Sequence, residues 1–213
     1  MRIVKVDADA PAASVIDLAV QALRDGAVIA YLTDTIYALG ADIRVPAAIE
    51  RVYKLKQRAD DKALPVIVAE HSMLAGWVGE LPERMSLLLE ACWPGPLTVV
   101  FQAAPAISSR LVAGSGKLAL RVPGRELPRA LSRALGAPIV STSANISGSP
   151  GATEVNTIVE QFGEEIPLIL DSGPAELTIP STIIDVTEQP PRLIRPGAVP
   201  VERVISLLGE MQQ

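Results

Sequence analysis

The chain has 213 residues, 49% of them hydrophobic but only 3% aromatic, and a net charge of −5. That is enough for one well-buried core, and an apolar share carried by Ala, Val, Ile and Leu suits helices packed on a sheet, not an aromatic surface for stacking bases. The acidic balance leaves only a local basic groove for polyanions, and with neither a signal-peptide pattern nor a run of roughly 20 apolar residues the expected location is cytoplasmic, with no membrane partner.

In chain order, Val15, Leu18, Ala19, Ala22 and Leu23 recur at helical spacing, which predicts an amphipathic helix over residues 14–24 stopped by Gly26. Residues 27–32 are almost continuously apolar and read as a buried strand closed by the polar turn Thr33-Asp34-Thr35. Pro46 opens the next helix at its first position, with Ile49, Val52 and Leu55 facing inward, and a strand follows over 65–69. A helix over 86–91 is broken by Trp93-Pro94-Gly95-Pro96. Strands are expected over 97–102 and 118–122, a helix over 126–135 stopped by Gly136, and a short strand at Ile139-Val140 that runs into a Ser/Thr-rich segment. A helix over 154–162 takes Thr153 as its N-cap. Short strands over 168–170, 183–186 and 192–194 precede a closing helix over 201–208. The pattern is α/β with strands too unevenly spaced for a simple βαβ repeat, so a single domain over 1–213 is expected, built on an open, twisted, mixed sheet flanked by helices. Fifteen glycines and 18 prolines imply many tight loops.

The candidate chemistry sits where elements end. Lys54, Lys56, Arg58 and Lys62 crowd the end of the second helix. Ile49, Val52 and Lys56 fall on one stripe, so Lys56 either covers the core with its stem and sends its amine to water, or turns that amine toward a phosphate. Ser141, Thr142, Ser143, Asn145, Ser147 and Gly148 follow directly on a strand, either as a turn rich in side-chain bonds to the backbone or as a set of donors facing a ligand. Arg121 shares a strand face with the small Ala119, as a residue lining a pocket would, or as one half of a surface ion pair. Ser181-Thr182 reads as an ordinary turn at a strand start. Together with Arg195-Pro196-Gly197, these segments offer fixed positive charge and small donors suited to a triphosphate. The standard phosphate-loop and dinucleotide glycine patterns are both absent. One histidine and one cysteine assemble neither a nucleophilic triad nor a soft-metal site, and His71 and Cys92 are given no role. Positioning and charge neutralisation remain as the mode of catalysis.

Seven ordered segments carry a family resemblance. They are Leu32 to Gly40, Lys56-Gln57-Arg58 with Asp61-Lys62, Pro94 to Thr98, Leu120 to Pro123, Ser141 to Gly148, Pro180 to Ile183, and Arg195-Pro196-Gly197. In these the chain resembles the YrdC/TsaC family of threonylcarbamoyl-AMP synthases. The resemblance implies a YrdC-like open sheet with a concave basic cavity. It also implies a nucleotidyl transfer in which L-threonine, bicarbonate and ATP give threonylcarbamoyl-AMP and pyrophosphate. A separate transferase then uses the product to modify position 37 of tRNA. By the family pattern Thr35, Arg121, Ser141 and Ser181 hold threonine, Arg121 pairing its carboxylate. Lys56, Arg58, Lys62, Ser143, Asn145 and Arg195 hold ATP. Lys56 and Arg58 act as catalytic residues on the leaving pyrophosphate, with Mg²⁺ bridging its oxygens. Ala38 stands where the family usually has Gly, a feature shared with a paralogous branch. Two alternatives stay open: a module with weak RNA binding in the basic cavity, and an enzyme adenylating a different carbamate or carboxylate.

Overall fold

The computed structural model describes the whole chain except Glu80, Pro82, Leu177, Thr178 and Gln213, together with the side chains of Glu83 and Arg84. In chain order the elements are β1 (Arg2–Lys5), α1 (Ala13–Arg24), β2 (Ile29–Leu32), β3 (Tyr37–Asp42), α2 (Pro46–Lys56), β4 (Val66–Ile67), α3 (Glu83–Cys92), β5 (Leu97–Gln102), β6 (Lys117–Arg121), α4 (Glu126–Leu135), β7 (Ile139–Ser143), α5 (Val155–Phe162), β8 (Leu168–Asp171), β9 (Thr182–Asp185), β10 (Arg192–Arg195) and α6 (Val201–Leu208). All ten strands join one sheet in the order β1-β8-β2-β3-β7-β4-β6-β5-β9-β10. Pairing is mixed: β2 runs parallel to β8, β4 to β6 and β5 to β9, while β3–β7, β5–β6 and β9–β10 are antiparallel. Among the described residues no helix is long and apolar enough to cross a membrane.

The alternation of side chains along each strand decides which face each half of the core occupies. Leu39, Val66, Val99, Leu120 and Val140 point to the face covered by α2, α3, α5 and α6, where Ile49, Val52, Leu88, Ile158 and Val204 meet them. Ile29, Tyr31, Ile139, Leu168 and Leu170 point to the opposite face, against Ile16, Val20 and Leu23 of α1 and Leu127, Leu131 and Leu135 of α4. These two helices pack on each other and mainly over β2, β3 and β4. The rest of that face, over the end of β7 and over β6, β5, β9 and β10, lies outside the main contacts of these two helices. Ala119, Arg121, Thr98, Val100, Ser141 and Ser143 point out of it by the same alternation and line a cavity.

Several boundaries depart from expectation. The six residues of β3 are all buried and show no alternation, so sequence patterning passes over them. The edge strand β1 is largely exposed and also goes undetected. Strand β4 is confined to two residues. Thr153 does not cap α5: Glu154, in extended conformation, holds the N-cap position, and its side chain makes no capping bond.

Candidate active site

The uncovered half of the sheet forms a concave cavity of about 760 Å³, within the range that small-molecule sites occupy. Its floor and walls bring together Thr35, Arg58, Arg121, Ser141, Ser143, Asn145, Ser181 and Arg195 from six separate parts of the chain. Of the residues expected to form the site, Lys56 and Lys62 are not among those lining it. Lys62 is exposed, and it is its backbone oxygen that meets the site, accepting from Arg58 Nε at 2.9 Å.

Arg121 occupies the floor. Its Nε donates to the Gly95 carbonyl at 2.9 Å and its Nη2 to an oxygen of Asp34, so the turn after β2 and the turn before β5 fix the plane of the guanidinium. The pair is largely withdrawn from solvent, with side-chain exposures of 9% and 13%. Beside it lies a cluster of hydroxyls. Thr35 and Thr33 are 3.0 Å apart through their Oγ1 atoms, and Thr98 Oγ1 lies 2.9 Å from Ser181 Oγ. Arg195 closes this side, its Nη2 donating to the Ser181 carbonyl at 2.8 Å. Gly197 makes that approach feasible, since a Cβ there would collide with the Pro180 carbonyl and the backbone of Ser181 and Thr182.

Arg58 stands on the opposite wall, its Nη2 donating to the Ala63 carbonyl at 2.7 Å. Neither Arg58 nor Arg195 has a carboxylate partner among the described residues. Burial pushes both guanidinium pKa values down, and for Arg195 the positive charge of Arg121 adds to the effect. Charge held without a counter-ion in a partly desolvated cleft favours entry of an anion. Among the described residues no carboxylate lines the cavity.

Lys56 is only 1% exposed. Its amine reaches neither water nor the cavity; Nζ donates to the carbonyls of Ser143 at 2.5 Å and Asn145 at 2.8 Å, and to Asn145 Oδ1 at 3.3 Å. Burial, and secondarily the positive charge of Arg58, push its pKa down to about 7. Sequence reasoning also missed two partners. Asp34 was read only as part of the polar turn after the buried strand, and nothing local points to Arg121, 87 positions away. Thr98 is the polar exception in the apolar strand Leu97–Gln102, a signal that could have found it.

A family model of the Sua5/YciO/YrdC type, described as telomere recombination, matches residues 21–197. The chain belongs to the Sua5/YciO/YrdC family. It is 35% identical over 190 residues to the threonylcarbamoyl-AMP synthase of Pyrococcus abyssi, covering 89% of this chain and 56% of that protein. The crystal structure of P. abyssi Sua5 complexed with L-threonine superposes with a TM-score of 0.95 at 33% identity, over 100% of this chain and 62% of that one. The crystal structure of E. coli YciO matches with a TM-score of 0.86 at 28% identity, over 94% and 98% of the two chains. The chain thus spans a little over half the length of the P. abyssi synthase, and its YrdC-like architecture of a mixed open sheet with flanking helices is that of the family.

Proposed function

We propose that this chain is an L-threonylcarbamoyladenylate synthase, a nucleotidyltransferase that joins L-threonine, bicarbonate and ATP into threonylcarbamoyl-AMP with release of pyrophosphate and water. The observation that carries this reading is the division of the cavity. One end groups Arg121 with the hydroxyls of Thr35, Ser141 and Ser181, and Arg195 is bonded to Ser181 at its edge; the other presents Arg58, and Ser143 and Asn145 also line the cavity, with no ion-pair partner for Arg58 or Arg195 among the described residues. The first end suits a small hydroxylated amino acid whose carboxylate pairs with Arg121. The second suits a triphosphate, with Lys62 exposed at its margin. Membership of the family, and a relative named threonylcarbamoyl-AMP synthase whose crystal structure holds L-threonine, support the same assignment.

In the proposed reaction threonine's amine captures the one-carbon unit to give a carbamate. One carbamate oxygen then forms a bond to the α-phosphorus as the bond to the β-phosphate oxygen breaks in line. Arg58 and Arg195 neutralise charge gathering on the departing pyrophosphate. Among the described residues no carboxylate lines the cavity, and no group of three or more acidic, His or Cys side chains is placed to hold a metal. Mg²⁺ therefore enters with the nucleotide, as part of the substrate. The product would pass to a separate transferase that modifies position 37 of tRNA.

The test is pyrophosphate release from ATP with threonine, serine and other amino acids, each with and without bicarbonate. Release that requires threonine and bicarbonate together is expected. Release with another amino acid but not threonine would reassign the substrate, and tight, salt-sensitive RNA binding without any ATP turnover would favour an RNA-binding module.

A further inference from the structure

Lys56 is the only fully buried lysine among the described residues. A phosphate-binding lysine keeps its ammonium at the cavity surface with donors unfilled, whereas all three donors of Lys56 are directed at oxygens of the segment after β7. The hold continues outward from there. The carbonyl of Lys56 accepts from Ser147 N at 2.8 Å, so both ends of the residue grip the same segment. Asn145, whose Oδ1 is one of the three acceptors, donates through Nδ2 to the carbonyls of Ile146 at 2.8 Å and Ser149 at 2.7 Å. Ser143, Asn145, Ser149, Pro150 and Gly151 are cavity wall. Arg58, two residues further on, is itself a lining residue.

We propose that Lys56 is a positioning residue: it shapes the wall from Ser143 to Gly151 against which the nucleotide lies, and does not itself touch the phosphates. This refines the synthase reading, on which it rests, by assigning direct contact with the leaving group to Arg58 and Arg195 alone. For the amine to reach a phosphate it would have to abandon three buried oxygens, each left without its donor. The lowered pKa agrees with this placement, because an ammonium kept beside bound phosphates in water would not be depressed by burial.

Two measurements test it. In the first, folded wild-type chain is treated with acetic anhydride and acetylation at Lys54, Lys56 and Lys62 is followed by mass spectrometry, with and without Mg·ATP. Lys54 and Lys62 are exposed and serve as internal standards. Lys56 is expected to react at least about ten-fold more slowly than either in both conditions, although its low pKa would make it the most reactive of the three if it were accessible. Rapid labelling of Lys56 that Mg·ATP suppresses would overturn the proposal.

The second measurement is steady-state kinetics of Lys56→Met, which keeps the stem and removes the donors. The KM for ATP is expected to rise about ten-fold while kcat falls no more than about five-fold and the KM for threonine stays within two-fold. A loss of about 1,000-fold in kcat at unchanged ATP KM would mark a group acting on the reacting phosphates and would equally overturn the proposal. If Lys56→Met does not fold, the labelling contrast decides. If the wild type releases no pyrophosphate at all, the synthase reading fails, and the labelling contrast still decides where Lys56 lies.

Discussion

Two buried cations flank this cavity, and they are held in different ways. Arg121 is paired with a carboxylate, Asp34, and is supported by one carbonyl. Lys56 has only neutral oxygens around it. A guanidinium beside a fixed counter-charge is held in its plane and still turns a free edge toward a ligand. An amine surrounded by carbonyls instead holds together the polar backbone of a loop that would otherwise stay unsatisfied. The first arrangement serves recognition and the second serves shape, even though sequence alone marks both simply as basic residues at the ends of elements.

The most severe way to break this comparison is Arg121→Ala. It removes the recognition group and leaves the Asp34 carboxylate, with only 13% of its side chain exposed, without a partner. Loss of threonine-dependent turnover is expected, together with destabilisation of about 3 kcal/mol in urea unfolding. Asp34→Asn is the milder probe, because the amide oxygen can still accept from Arg121. Threonine KM is expected to rise about ten-fold with ATP KM unchanged, which would separate orientation of the guanidinium from its mere presence.

The Lys56 side is broken most cleanly by pH. The native amine releases its proton near pH 7, whereas in the unfolded chain it does so near the ordinary value of about 10.4. Between those values the unfolded chain binds more protons than the native one, so this residue's contribution to stability must rise with pH across that window and be lowest below it. Urea titrations of wild type and Lys56→Met over pH 6 to 10 should therefore diverge, the wild type gaining stability with pH relative to the variant. Parallel curves would mean that the amine stays charged throughout.

Most of the helices, and the strands with a clear apolar face, were legible because burial on one side leaves a period in the sequence. Strand β3 was not, since Tyr37 to Asp42 are buried on both faces and a strand without alternation gives no period. The site was legible as a list of residue types but not as an arrangement. Arg58, Arg195, Ser143 and Asn145 do meet in one cavity. Lys56 lies on the same helix stripe as Ile49 and Val52 and follows that stripe into the core, which is the burial its spacing implied, yet its amine goes to a loop 87 residues away instead of to water. Spacing reports the face of the helix, and nothing local reports what waits behind it. Asp34 was hidden for the same reason, being a turn residue whose partner sits on a distant strand.

The smallest effect concerns the residue that separates the two behaviours at the end of α2. Gln57 adopts the left-handed conformation, with φ 47° and ψ 42°, as the helix closes through bonds from Gln57 N to the Lys54 carbonyl and from Arg58 N to the Tyr53 carbonyl, each 3.0 Å. This turn sends Lys56 inward and Arg58 to the cavity. A side chain in that conformation costs roughly 1 kcal/mol, which glycine avoids at some expense in unfolded-chain entropy. Gln57→Gly is thus expected to stabilise the protein by about 0.5 kcal/mol, read as a raised urea midpoint at unchanged slope. ATP KM should not move, because the three bonds from the Lys56 amine, and not the stiffness of the turn, hold the wall. A more stable variant with a raised ATP KM would instead locate that hold in the turn itself, and would make Lys56 a consequence of the geometry and not its cause.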